Sequence, residues 1–445
     1  MRRRVPWFAA FLVCLAALVS APAAALAQPT PRPDRPEGPD DFLERLFAAP
    51  DLDLDALERA VLRRNPSLAA MRSAWASMES RAAVAGAWDD PRVEGMIAPR
   101  SLGKEMVDPG WSVQITQMVP LFGQRSLMGK ANRAMAGAMR EDYRAMRLEM
   151  VRMARELYYQ LYLAARAIEV NRELAGLLDQ VRRVALQKYA SGTVGQQDAL
   201  QADVELAMLE HQLAVAVRSR RETQARLRAL VHDETDRRFP DPPRDLAHVS
   251  HALGDTTTAT AVASRSELRA RAAAIEARRA EIGAAARMRL PELMLIARHD
   301  RAMDMPEWRT MVGAGITLPI WFGKTGAGVR AAQADLRRAE QERIAFADSI
   351  RAQVEIARAR LEETSHELEI LETRVVPSTE RALASVRAGY EANRSEFPAL
   401  LMAERDLAKA RLDRHQAIAM VHMALADLER AIGLEPAALR EEEPR

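Results

Sequence analysis

Two stretches of this chain about 200 residues apart, 91–206 and 291–407, repeat one pattern, and that duplication limits the folds open to it. Pro91 recurs as Pro291, Ile115-Thr116 as Ile316-Thr317, Tyr189 as Tyr390 and Leu206 as Leu407, at spacings of 200, 201, 201 and 201. An internal repeat changes the whole fold assignment, because each copy is one structural unit that packs with the next. Each copy here joins a short two-strand segment to a very long helical run. The pattern points to a pseudo-symmetric, hollow assembly rather than to one asymmetric active site.

The first 27 residues read as a secretory signal: Arg2, Arg3 and Arg4, an apolar run from Trp7 to Val19, and the cleavage site Ala25-Leu26-Ala27. The single cysteine, Cys14, lies inside it, so the mature chain is expected to hold no thiol, disulfide or Cys-ligated metal. Without the three leader arginines, 61 basic side chains face 62 acidic ones, which excludes nucleic acid as the natural partner. Past the leader no apolar run approaches the length of a membrane-spanning helix. An exported chain of this kind is periplasmic, secreted, or an outer-membrane strand protein.

Residues 28–50 hold six prolines and read as a flexible linker. Asp51, Asp53 and Asp55 are best explained as acids at a helix start, which favour the macrodipole, rather than as a metal cluster. The first repeat is expected over 51–232. It begins with a helix from about 54 to 88 interrupted at Asn65-Pro66, followed by strands at 91–99 and 110–119 and a helical hairpin over 123–231 that turns at Gly192–Gly195. Residues 233–260 read as a linker. The second repeat, 261–433, is expected to hold strands at 291–299 and 308–318 and a hairpin over 324–432, followed by a tail at 434–445. In the first copy Leu157, Leu161, Ala164, Ile168, Ala175 and Leu178 form a coiled-coil seam interrupted by Asn171. A clearer seam runs from Val329 to Val375 in the second. Pro377 lies within that helical pattern and is expected to disturb it.

The strands alternate with a period of two: Trp111, Val113 and Ile115 against Ser112, Gln114 and Thr116 in one copy, Val312, Ala314 and Ile316 against Met311, Gly313 and Gly315 in the other. Lengths of about 8–10 residues suit a membrane-crossing strand. Trp88, Trp111, Trp308 and Trp321, with Phe122 and Phe322, flank these strands as interfacial aromatics would. Four strands do not close a barrel, and open edges in lipid cost several kcal/mol per unpaired group, so several chains must share one barrel.

With its duplicated strand–helix unit, its strand exits Pro120-Leu121-Phe122-Gly123 and Pro319-Ile320-Trp321-Phe322-Gly323, and its turns after Tyr189 and Tyr390, the chain resembles the outer-membrane efflux protein family of TolC-like channels, some of which serve heavy-metal pumps. The resemblance implies a mixed α/β membrane protein. Three chains, each giving four strands, would form one outer-membrane β-barrel continuous with a long α-helical coiled-coil tunnel in the periplasm. It implies a homotrimer that docks on a periplasmic adaptor (membrane fusion) protein and an inner-membrane efflux pump and conducts substrate passively to the exterior. It assigns adaptor contact to the tips Gly192-Thr193-Val194 and Asn393-Arg394-Ser395. Asp198, Glu396 and Glu404 are the candidates for an acidic pore constriction at that end.

No hydrolase, nucleotide-binding or zinc motif appears, and neither catalytic residues nor a cofactor is expected. Met128, Met135, Met139, Met146, Met150 and Met153 crowd one helix. They read as gap-filling core, although thioethers also suit Cu(I) or Ag(I). Heavy-metal ions and small-molecule drugs are the substrate alternatives. The competing reading of the whole chain is a periplasmic coiled-coil adaptor or structural protein.

Overall fold

The computed structural model describes residues 39–98, 110–192, 195–246, 258–301, 306–392 and 394–434. The leader expected over 1–27, Thr193, Val194 and Asn393 of the tips, and all but the first residue of the C-terminal tail lie outside these. The chain divides into two units, one ending at Arg45 and one running from Leu46 onward. The first contributes the opening turns of α1 (Pro39–Ala48), and the rest of the architecture belongs to the second.

Residues 39–48 are therefore helical, and the linker expected over 28–50 is corrected there. Pro39 supplies a pre-set φ for a first turn, Asp40 and Asp41 follow it, and Leu43, Leu46 and Phe47 give a helical apolar spacing. Within the second unit, Phe47 packs on Phe239 with ring centroids 4.7 Å apart. Phe239 is 1% exposed, and its carbonyl accepts a hydrogen bond from Gln224 Nε2 (3.2 Å). The Leu52 amide donates to the Asp241 carbonyl at 3.0 Å, and Arg220 pairs with Asp241 at 2.8 Å. The first part of the supposed 233–260 linker is thus a packed strap, and a helix begins before that linker was expected to end. Phe239 decides this: an aromatic among prolines folds inward because its burial outweighs the turn chemistry around it.

Helices α2 (Leu54–Arg64) and α3 (Pro66–Gly86) meet at Asn65, and both ends are set by that residue. Pro66 excludes helical geometry at the residue before it, so Asn65 is extended. Its Oδ1 accepts from the Ser67 and Leu68 amides, at 2.9 and 3.3 Å, and its Nδ2 donates to the Leu230 carbonyl at 2.9 Å. Asp53 caps α2 in the same way, accepting from the Ala56 amide at 2.9 Å, a structural use for the acid cluster noted in the sequence.

The long elements follow. Helix α4 (Gln124–Ala190) holds 67 residues, about 100 Å of axial rise, and α5 (Gln197–Val231) returns beside it. After α6 (Thr258–Ser264) and α7 (Ser266–Arg287), the second copy supplies α8 (Phe322–Ile370), α9 (Val376–Glu391) and α10 (Phe397–Ile432). Helix α4 packs against α3, α5, α7 and α10, while α8 packs against α7 and α10. A π-helical turn over Leu371–Val375 joins α8 to α9. It lies just ahead of Pro377, so the lost amide and the ring clash are absorbed by widening the helix rather than ending it. Of the second-copy seam, Ile350, Val354, Ala357 and Leu361 are buried, whereas Val329, Ala332, Leu336 and Ala339 are only half-buried. None of the helices among the described residues is long and apolar enough to cross a membrane.

Strands β1 (Arg92–Ile97), β2 (Trp111–Val119), β3 (Glu292–Asp300) and β4 (Thr310–Thr317) form one antiparallel sheet in the order β1-β2-β3-β4. The 308–318 strand is shorter than expected, because Pro306–Trp308 form a 3₁₀ turn before it. The duplicated pairs are joined through β2 and β3, with Ile115 opposite Ala297 and Thr116 opposite Ile296. This register sorts the side chains. One face carries Val93, Val113, Ile115, Leu293, Leu295, Val312 and Ile316; the other carries Arg92, Glu94, Ser112, Gln114, Thr116, Arg298 and Asp300.

Replacing Asn65 with Ala removes two capping bonds and the tie to Leu230. We expect a loss of about 1–2 kcal/mol, read as a lower urea midpoint at unchanged slope.

Candidate functional site

Two features carry the functional geometry: the sheet with its flanking aromatics, and the far turns of the helical hairpins. At one end of the sheet, Trp111 opens β2 and Trp308 stands just ahead of β4, 36% and 60% exposed. At the other end, Trp88 precedes β1, Phe122 follows β2, and Trp321 and Phe322 follow β4. These four are 44–75% exposed. The six aromatics named from sequence therefore occupy two levels separated by strands of eight to nine residues in β2–β4, about 26–30 Å of strand rise. The apolar sheet face lies between them and is open: Val93, Val312 and Ile316 are all more than 60% exposed. That face is thus apolar, exposed and bounded at both ends by aromatic side chains.

At the opposite end of the helices, α4 ends at Ser191, and Gly192 takes φ +70°, the left-handed conformation glycine tolerates. In the second copy, the Arg394 and Ser395 amides both donate to the Gly389 carbonyl, at 2.7 and 3.1 Å. Ser395 then packs so closely on Gly389 that no side chain fits there. The two tips are fastened together by contacts that sequence reasoning missed. Lys188 lies 4.1 Å over the Tyr390 ring and donates to the Tyr390 carbonyl at 3.2 Å. Tyr390 meets Phe397 edge-on at 6.1 Å, in a core shared with Leu178, Ala185, Ala199 and Leu400. Only the repeated Tyr189/Tyr390 hinted at this, and it is Tyr390 alone that turns inward; Tyr189 is 45% exposed.

The three acids named for a constriction sit differently from one another. Glu404 is 2% exposed and pairs with Arg387 at 3.2 Å. Burial raises its pKa, and Arg387 and Arg411 counter the rise. Further chains only cover more surface, so in this conformation Glu404 does not present a carboxylate to an open pore. Asp198, at 8% exposure, lies in the first turn of α5. Burial is the main cause of its raised pKa, the nearby Glu396 adds to it and Lys188 opposes it. Glu396, the residue before α10, is exposed. Glu396 thus acts on Asp198 electrostatically, and of the three acids it alone is exposed.

Midway along the helices, charged groups tie the two copies. Glu58 of α2, 1% exposed, pairs with Arg155 of α4, which also reaches Glu429 of α10. Arg430 bridges Glu149 at 3.1 Å and Glu267 at 2.7 Å, and Arg265 donates to the carbonyls of Arg430 and Ala431 at 3.0 and 2.8 Å. Beside them, Tyr162 Oη lies 2.7 Å from His415 Nδ1, and Tyr159 stacks on His422 at 4.9 Å. The Arg155–Glu429, Glu149–Arg430, Tyr162–His415 and Tyr159–His422 links run between α4 and α10 and hold one copy against the other.

A sequence profile of the outer membrane efflux protein family matches the chain twice, over residues 57–231 and 258–434. The chain belongs to the outer membrane efflux protein family. The two matched segments are the two halves of the repeat. Among curated relatives, the cobalt-zinc-cadmium resistance protein CzcC of Cupriavidus metallidurans is 21% identical over 278 residues; the alignment spans 62% of this chain and 66% of that protein, just under two thirds of its length. Among solved structures, the outer-membrane channel OprN superposes with a TM-score of 0.75 at 18% identity, covering 91% of this chain and 98% of that one. The Campylobacter jejuni CmeC outer membrane channel does so with a TM-score of 0.74 at 16% identity, covering 92% and 90%. At these identities the superpositions establish a shared outer-membrane channel fold, including the sheet and both helical hairpins.

His415 gives this efflux-family protein a measurable pH signature. Burial, chiefly, with Arg414 and Arg166 adding to it, lowers its pKa from 6.5 to about 4. The neutral ring is hydrogen-bonded to Tyr162, and its stabilisation is complete above pH 6.5 and is lost as pH falls toward 4. His415→Asn keeps a hydrogen-bonding side chain that does not titrate. We expect the wild-type protein to lose about 2 kcal/mol more than this variant between pH 6.5 and 4, measured by thermal unfolding.

Proposed function

We propose that three copies of this chain form the outer-membrane duct of a tripartite efflux system, conducting cargo passively from an inner-membrane pump and a periplasmic adaptor to the exterior. The single observation that carries this is the open four-stranded sheet. Strands β1 and β4 are its edges, its apolar face is exposed between two aromatic levels, and no such edge survives in lipid unpaired. Pairing β4 of one chain with β1 of the next closes a twelve-strand barrel from three chains. The half-buried Val329–Ala339 part of the α8 seam then finds its missing partner on the neighbouring chain. A soluble coiled-coil adaptor has no use for that face, and the two strand pairs join one sheet instead of separate domains.

The family is one of transport channels. In our reading this chain does no covalent chemistry and needs no cofactor, and energy comes from the pump. The tips around Gly192 and around Arg394 and Ser395, at the end of the hairpins opposite the sheet, contact the adaptor. Of the three acids, the exposed Glu396 supplies negative charge at the same end, where it attracts cations and repels anions. Divalent metal is one candidate cargo, since the relative CzcC is named for cobalt-zinc-cadmium resistance; small-molecule drugs are the other.

Fractionation and crosslinking test the assembly. Cysteines at Val93 and Val312, one on each edge strand, are expected to give trimers with a short bismaleimide in outer-membrane fractions. Recovery of a soluble monomer in the periplasm overturns the duct. The tip has its own test: Gly192→Arg, at a left-handed turn against the docking surface, is expected to abolish export while leaving the amount of crosslinked trimer unchanged. Export at the wild-type level removes the adaptor assignment.

A further inference from the structure

The pairing register separates the methionines of the sheet by face. The face that carries Val93, Ile115, Leu295 and Val312 also carries Gln117, His299 and Thr310, and it has no methionine. The polar face holds five large apolar side chains, Met96, Met118, Met294, Ile296 and Met311, and four of the five are thioethers. A gap-filling role predicts no such bias, since the lipid face accepts methionine as readily as leucine. In a barrel the charged and hydroxylic face turns to the water-filled interior, so the thioethers line the conduit.

Their placement is also specific. Met118 of β2 stands directly opposite Met294 of β3, a cross-strand pair with Cβ atoms about 4.5–5.5 Å apart. Both are half-buried. On the other side of Met294 stands Gly315. The Met294 terminal methyl lies 2.9 Å from the point a Gly315 Cβ would occupy, so a side chain there would displace the thioether. Met311 pairs with Arg298, four rungs from Met294, and Met96 pairs with Ser112, six rungs from Met118; these steps are about 13 and 20 Å. Below the strands, Met128, Met135, Met139, Met146 and Met153 of α4 fall within about 40° of one another on the helix, roughly opposite Lys130, Arg133 and Arg140.

We propose that the Met118–Met294 pair is a thioether site for soft monovalent cations, Cu(I) or Ag(I), and the first step of a methionine track along the conduit. The proposal rests on the channel reading, which decides which face is the interior. Thioethers bind these ions and discriminate against harder divalent metals that take nitrogen, oxygen or thiolate ligands. A neutral two-sulfur site in a pore, with single thioethers further along, holds an ion weakly enough to release it onward, as conduction requires.

The test is Ag(I) binding to the purified full-length trimer in chloride-free detergent buffer, read as bound silver per chain and by sulfur coordination in X-ray absorption. Met118→Leu/Met294→Leu conserves volume and is expected to lose about one Ag(I) per chain. Met208→Leu, at an exposed methionine of α5, is expected to lose none, and Zn(II) binding is expected to be the same in all three proteins. Unchanged silver content in a trimeric double variant, or equal loss in Met208→Leu, overturns the site. Native mass spectrometry of the same samples separates the two readings: a trimer that binds no silver sinks only the thioether site, whereas the absence of a trimer sinks the duct.

Discussion

Backbone amides and carbonyls at the edges of a four-stranded sheet have nowhere to go in lipid, and the rest of the molecule is arranged around that fact. Strands β1 and β4 leave one row of polar groups each, and each unpaired group in hydrocarbon costs several kcal/mol. Only closure with further copies removes the edges. The same closure accounts for the helices. A layer in which α8 buries the lower half of its seam against its own chain, and leaves Val329–Ala339 half-covered, is a layer cut open at a chain boundary.

Within the chain, the problem is to hold two near-identical units in one layer. Ordinary seams do part of this, but they are rich in alanine and shallow. The additional hold is polar. Glu58, Arg155 and Glu429 link α2, α4 and α10, and Arg265, Glu267, Arg430 and Glu149 link α7, α10 and α4. Breaking one member of such a buried set strands its partner's charge, so these links fix the registry of the helices more than they add net stability. Asn65 does the same work with neutral groups, ending one helix, starting the next and holding Leu230.

Much of the fold was legible because its signals are periodic. Alternation marked β2, β3 and β4 to within two residues at either end, whereas β1 is short and poorly patterned, and an absence of proline predicted α4. Errors arose where a single residue overrode composition: Phe239 folded a proline-rich linker into a strap, and Leu46 and Phe47 continued a helix into another. Pro377 is a milder case. Its clash was foreseen, but the π turn over Leu371–Val375 that accommodates it was not, since a widened turn leaves no mark in the spacing of apolar residues.

The site was less legible than the fold. The placement of the six aromatics at the strand ends followed from strand position alone. The acids did not follow in that way. Asp198, Glu396 and Glu404 look alike in sequence, and only packing shows that Asp198 and Glu404 are buried while Glu396 is exposed. By itself the sequence determined the duplication, the four strands, the long helices and the need for partners, since periodicity and length dictate those locally. The tertiary structure alone decided the sheet order, the sorting of methionines onto one face, and which tyrosine of the repeated pair locks the tips. Each of these depends on register between segments up to two hundred residues apart, and no local pattern carries that information.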